Sequence, residues 1–183
     1  MLKCTIVAGV NGAGKSSLLG AAQNLRTDLG LMMDDTVDPI KFITEKVGGV
    51  IGRGVDFTIE TVLDGDHIEA ILRKAAKEEY QITLHYVGLD TVEECVQRVD
   101  ARADRGGRMV PEKLIAKRFE QRCDALKQIL PYCDTVIFWD NADVFRVVAE
   151  YRNGSFLYKG DHPPVWAQEF HESLWWKKDH EKK

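Results

Sequence analysis

The chain contains no apolar run long enough to cross a membrane, no Cys-x-x-Cys pair and no excess of positive charge, and each absence removes a class of function. A membrane helix needs about 20 consecutive apolar residues, and Met1-Leu2-Lys3 leads into a strand-like run, not into the apolar core of a secretory leader. The expected location is therefore the cytoplasm, with no membrane partner. Cys4, Cys95, Cys123 and Cys133 have neither paired spacing nor a nearby histidine that would make a metal site. They are expected as buried free thiols in a reducing compartment. Lys+Arg 25 against Asp+Glu 29 leaves a net charge of -4, which gives no bulk attraction to nucleic acid. Any basic site has to be local. Repeats, linkers and low-complexity segments are also missing. A chain of 183 residues that is 44% hydrophobic buries one core rather than two, so one domain is expected over 1–160, followed by a tail over 161–183.

What is present is an alternation of short β-prone runs and helical patterns. Leu2 to Ala8, Leu31 to Met33, Val55 to Ile59, Ile82 to Val87 and Thr135 to Trp139 read as strands. Parallel strands need crossover connections, and helical segments lie between these runs. The expected fold is α/β, an open, doubly wound and mainly parallel sheet flanked by helices. Thr91-Val92-Glu93-Glu94 has capping-box spacing and opens a helix to about Arg105, and Pro111 suits the first turn of the next. Arg152-Asn153-Gly154 joins two strand-like runs, Val144 to Tyr151 and Ser155 to Tyr158, as an antiparallel hairpin with a type I′ turn. In the tail, Trp166, Phe170 and Leu174 are four apart and predict a short docked helix, with Trp166, Trp175 and Trp176 expected as packing residues.

The first strand runs into Gly9-Val10-Asn11-Gly12-Ala13-Gly14-Lys15-Ser16, the G-x-x-x-x-G-K-[ST] pattern, with helix formers from Lys15 to Leu25. Small residues let backbone N–H groups wrap phosphates, and the following helix aims its positive end at them. Gly9, Asn11, Gly12, Ala13, Gly14, Lys15, Ser16 and Ser17 are therefore the expected ATP-binding residues. Lys15 reaches the β- and γ-phosphates, and Ser16 offers its hydroxyl to Mg²⁺.

The acceptor has to be sought at the carboxyl ends of the other strands, where open α/β sheets bind ligands. Asp34 and Asp35 follow the second strand, and Glu60 and Thr61 follow the third. A carboxylate there can take the proton of an attacking hydroxyl, hold that hydroxyl in line, or organise Mg²⁺ through water. Arg98, Arg102 and Arg105 recur at i, i+4 and i+7 on one helix face, with Arg108 just beyond two glycines. Such a cluster can close over phosphates, because planar guanidinium donors match the oxygens of a transferring phosphoryl group.

Taken together, Gly9 to Ser17, the Asp35 region, Phe57-Thr58-Ile59-Glu60-Thr61 and Arg98 through Pro111 resemble the zeta toxin family of kinases, over about Met1 to Asn141. The resemblance implies transfer of the ATP γ-phosphate to the 3′-hydroxyl of UDP-N-acetylglucosamine, by a toxin with an antitoxin protein as partner or by a stand-alone kinase. It also assigns roles: Lys15 and Ser16 to nucleotide and Mg²⁺, Asp35 to general base, Glu60 and Thr61 to substrate binding, Arg102 and Arg108 to the phosphates, with Arg98 competing with Arg102. The chain departs from the family at Met33, where asparagine is usual, at Val62, where a second threonine is common, and at Arg108, in place of a frequent histidine. A kinase of another small metabolite uses the same parts. A P-loop ATPase switch or transport ATPase is the other reading, but the chain lacks the L-S-G-G-Q signature of the transporters.

Overall fold

The computed structural model describes residues 1–23, 29–36, 38 and 40–180, with backbone alone at 40, 42 and 175–180. The end of the expected first helix, Leu25, and the side chains of Trp175 and Trp176 lie outside the described residues. Seven strands form one sheet in the order β2-β3-β1-β4-β5-β6-β7. β1 (Lys3–Ala8), β2 (Leu31–Asp34), β3 (Phe57–Thr61), β4 (Gln81–Gly88) and β5 (Thr135–Asp140) pair in parallel. β6 (Arg146–Arg152) and β7 (Ser155–Tyr158) add an antiparallel edge. Their turn has positive φ at Asn153 (50°) and Gly154 (78°), the signature of the expected type I′ hairpin.

Six helices are described: α1 (Lys15–Gln23), α2 (Ile40–Gly52), α3 (His67–Lys77), α4 (Val92–Ala103), α5 (Glu112–Ile129) and α6 (Val165–His180). The two-residue period of β1 divides the core. Cys4, Ile6 and Ala8 face one cluster with residues of α2, α3, α5 and α6, while Val7 faces Leu19 of α1 and Leu29. In the tail helix, Trp166 and Phe170 are buried in the larger cluster and Leu174 packs against it.

The capping box at Thr91 forms as expected: its side chain accepts from Glu94 N–H, and the Glu94 carboxylate reaches back to the Thr91 backbone. α4 stops at Ala103 instead of Arg105, because Gly106 N–H turns back to the Ala103 carbonyl. The strand expected over 55–59 sits two residues later. Val55 is exposed in the turn after Gly54, whereas Glu60 and Thr61 pair with Val7 and Ala8 as part of β3. The hairpin's first strand likewise begins at Arg146, leaving Val144 in an exposed loop.

This order leaves β1 between β3 and β4, with the chain crossing from β1 to the β2 edge before it returns to β3. The carboxyl end of β1 is therefore the switch point of the sheet, where ligand crevices form.

Candidate active site

Everything at the switch point is built outward from the loop between β1 and α1. Gly12 adopts φ +82°, and a Cβ there would lie 2.3 Å from the Cys95 carbonyl of α4. Gly14 adopts φ +107°, and its Cβ would meet the Asn141 amide at 2.3 Å. Both positions require glycine, for handedness and for space. Side chains from distant elements hold the loop: Asn141 Nδ2, just past β5, donates to the Ala13 carbonyl (2.8 Å), and Arg118 Nη1 of α5 donates to Asn11 Oδ1 (2.8 Å). The same guanidinium reaches Asp64 Oδ2 from Nε (3.0 Å) and Nη2 (2.8 Å), tying the loop after β3 to the P-loop.

Lys15 opens α1 and is buried, its Nζ donating to the Val10 carbonyl (3.3 Å). Burial lowers its pKa, and the carboxylates of Glu60, Asp35 and Asp34 work in the opposite direction. Glu60 shows the reverse case: burial pushes its carboxyl up, opposed by the Ser16 hydrogen bond and by Lys15. Ser16 Oγ donates to Glu60 Oε1 at 2.6 Å. The hydroxyl proton is thus committed to Glu60, which leaves the Ser16 oxygen lone pairs for a cation.

Asp34 ends β2, Asp35 follows it, and the two side chains part company. Asp34 Oδ1 caps its own turn, accepting from Thr36 N–H (2.8 Å) and Oγ1 (2.6 Å). Asp35 turns inward, where its Oδ2 accepts from Thr61 Oγ1 and lies 2.9 Å from His67 Nε2. Thr61 is fully buried and also accepts from Leu63 N–H (2.9 Å), which places it behind Asp35 instead of in the cleft.

Over these groups lies a cleft of ≈ 540 Å³, within the range of small-molecule sites. It brings together Asn11, Gly12, Gly14, Lys15, Ser16, Ser17, Asp34, Asp35 and Glu60 with Arg98, Arg102 and Arg108. Gly9 and Ala13 sit outside its lining. Six basic side chains border it against three acidic ones, a local positive field in a chain of net charge -4. The arginines differ in their ties. Arg98 Nη2 is committed to the carbonyls of Asn141 (2.7 Å) and Ala142 (2.9 Å). Arg102 Nη2 steadies the lid through the Arg108 carbonyl (3.1 Å), and Arg108 Nη1 crosses the cleft to the Thr36 carbonyl. The charge of Arg102 bears on Lys15.

Arg118, Asp64, His67 and Asn141 were not singled out in the sequence. Their partners lie 107, 54, 32 and 128 residues away, so no local pattern marks them. Asp34, Asp35 and Glu60 do not make a protein cage, and no group of three or more metal-binding side chains occurs among the described residues. One hydroxyl and one carboxylate beside a phosphate-binding loop nonetheless suit Mg²⁺, which takes few protein oxygens and completes its shell with phosphate and water. The four cysteines are free thiols, and burial pushes Cys95 up to about 11 and Cys133 up to about 12.

Comparison with known proteins agrees with this architecture. The zeta toxin profile matches residues 38–159, more than half of the chain, beginning beyond the P-loop and Asp35. A Haemophilus influenzae protein described as uncharacterized is 25% identical over 129 residues, 64% of this chain and 92% of its own. Among solved structures, the PezAT chromosomal toxin-antitoxin system of Streptococcus pneumoniae superposes with a TM-score of 0.61 at 11% identity, over 100% of this chain and 88% of that one. AvrRxo1-ORF1:-ORF2 with ATP gives 0.61 at 14% identity, over 95% of this chain and 63% of that one. At such identities the likeness shows the fold alone. The chain spans less than two thirds of the AvrRxo1 chain.

Proposed function

The chain belongs to the zeta toxin family, and from that membership we propose that it transfers the γ-phosphate of ATP to the 3′-hydroxyl of UDP-N-acetylglucosamine. Family and fold support a kinase-type phosphotransferase. The observation that carries the finer reading is the convergence of Lys15, Ser16, Asp35, Glu60 and the arginine lid on one cleft. In this reading the P-loop binds the triphosphate and Lys15 neutralises its β- and γ-oxygens. Ser16 would hold Mg²⁺, with Glu60 ordering its outer shell, and the ion would supply charge neutralisation to the phosphates.

The acceptor hydroxyl lies beside Asp35. Its oxygen forms the new bond to the γ-phosphorus while the bond from that phosphorus to the β-phosphate bridging oxygen breaks. ADP leaves with the electron pair, and the hydroxyl proton passes to Asp35. Arg102 and Arg108 offset the charge on the equatorial oxygens, so a fixed positive field lowers the barrier where no covalent catalyst takes part. Thr61 supports Asp35 here and does not itself contact the sugar.

The test is direct: incubate the protein with ATP, Mg²⁺ and UDP-N-acetylglucosamine and follow the nucleotide sugar by mass spectrometry. A product heavier by one phosphoryl group, absent with Lys15→Ala, supports the reading. No such product from the wild-type protein overturns this acceptor. The same reading gives the protein a cytoplasmic site of action, one kinase domain over 1–160, and an antitoxin protein as partner.

A further inference from the structure

Asp35 is held in an unusual way for a residue placed beside a reacting hydroxyl. One carboxylate oxygen, Oδ2, carries both protein contacts, from Thr61 Oγ1 and from His67 Nε2 at 2.9 Å. The other, Oδ1, is buried and has no hydrogen-bond partner among the described residues. The Asp35 side chain is only 2% exposed and that of His67 10%, yet Asp35 borders the cleft. A buried acceptor left without a donor is costly, and such a group in a folded protein calls for an explanation.

The segment that brings His67 to Asp35 is itself strained. Leu63 takes φ +56°, a left-handed conformation that a branched apolar side chain disfavours, and its N–H donates to Thr61 Oγ1. Gly65 follows at φ +94°, and the chain then enters α3 with His67 as its first residue. Asp64, between them, is gripped by Arg118. A backbone outlier persists only where its surroundings over-determine it, and here the outcome is the placement of one imidazole against one carboxylate.

We propose that His67 is a positioning residue for the transfer reaction: with Thr61 it clamps Asp35 Oδ2, leaving Oδ1 as the oxygen that receives the proton of the acceptor hydroxyl. The inference rests on the kinase reading above. Facing a carboxylate oxygen, Nε2 is the ring nitrogen that donates, and the two donors on one oxygen fix the carboxylate plane. Lys15 from α1, Asp34 from β2, Glu60 from β3 and Arg102 from α4 are charged groups that share this environment with Asp35. Misplacing a reacting group by about 1 Å costs on the order of 100-fold in rate.

Two measurements test this. In the ligand-free protein, the low-field proton NMR spectrum should show a hydrogen-bonded imidazole N–H that disappears in both His67→Gln and Asp35→Ala. Its absence from the wild type, or its survival in Asp35→Ala, overturns the clamp whatever the acceptor is. In the kinase assay with ATP and UDP-N-acetylglucosamine, His67→Leu should lower kcat about 10- to 100-fold with the KM for ATP unchanged. His67→Gln, whose amide can donate from a similar place, should recover most of that loss. Equal kcat in the wild type and in a folded His67→Leu overturns the positioning role, as does failure of Gln to do better than Leu. If the wild type does not phosphorylate this acceptor, the acceptor reading falls. The same three proteins are then compared in ATP hydrolysis, where water is the hydroxyl; the same order supports the clamp and equal rates overturn it.

Discussion

At the carboxyl ends of β1, β2 and β3 the protein buries Lys15, Glu60, Thr61 and the Asp35 side chain, whereas between β4, β5, β7 and α6 it buries Tyr86, Phe138, Phe156, Trp166 and Phe170. In the first region burial works against the charged groups, depressing the lysine and raising Glu60. In the second, rings meet edge to face, Tyr86 and Phe170 at 4.8 Å and Trp166 and Phe170 at 6.0 Å. A buried charge there, Asp140, is shared between Trp166 Nε1 (3.1 Å) and Arg146 (3.2 Å). The polar region is costly to fold and suited to phosphate chemistry; the aromatic region supplies stability. A substitution in either should move its own observable and spare the other.

The largest effect is expected from Lys15→Ala, which should abolish transfer while far-UV circular dichroism shows a folded protein. Asp35→Asn keeps shape but removes basicity, and general-base contributions are about 10²- to 10⁴-fold. Transfer should fall by that range while ATP binding, measured by calorimetry, persists. Normal transfer by Asp35→Asn with loss in Asp34→Asn would move the base by one residue.

Trp166→Ala carries the contrast to the aromatic side. Emptying that site should cost about 3–5 kcal/mol in denaturant unfolding, with near-normal turnover per folded molecule. A selective loss of turnover there would erase the distinction between the regions. Arg108→Lys keeps the charge and loses the fork, and a drop of about 10- to 100-fold in kcat is expected. The smallest effect should come from Gly154→Ala at φ +78°, about 1–2 kcal/mol of backbone strain with no change in kinetics.

The contrast also marks what a sequence can disclose. The P-loop, the capping box at Thr91 and the Asn153-Gly154 turn are local devices, and each was legible because the residues that need one another are neighbours in the chain. The aromatic tail contact was foreshadowed by the spacing of Trp166 and Phe170. The end of β3 was misplaced by two residues, because Val55 is as β-prone as the residues that follow and only pairing with β1 decides between them. Arg118, Asn141 and His67 escaped notice because folding alone brings them to the site. An arginine in a helix rich in charge, or a histidine after Gly65-Asp66, carries no mark of its destination.

Arg118 deserves a last consideration as a mechanical part. One rigid guanidinium spans Asn11 of the nucleotide loop and Asp64 of the segment leading to His67. A plane with fixed donor directions cannot follow one anchor without disturbing the other. The nucleotide loop and the segment leading to His67 therefore share a single joint, and a shift of either one acts on the other.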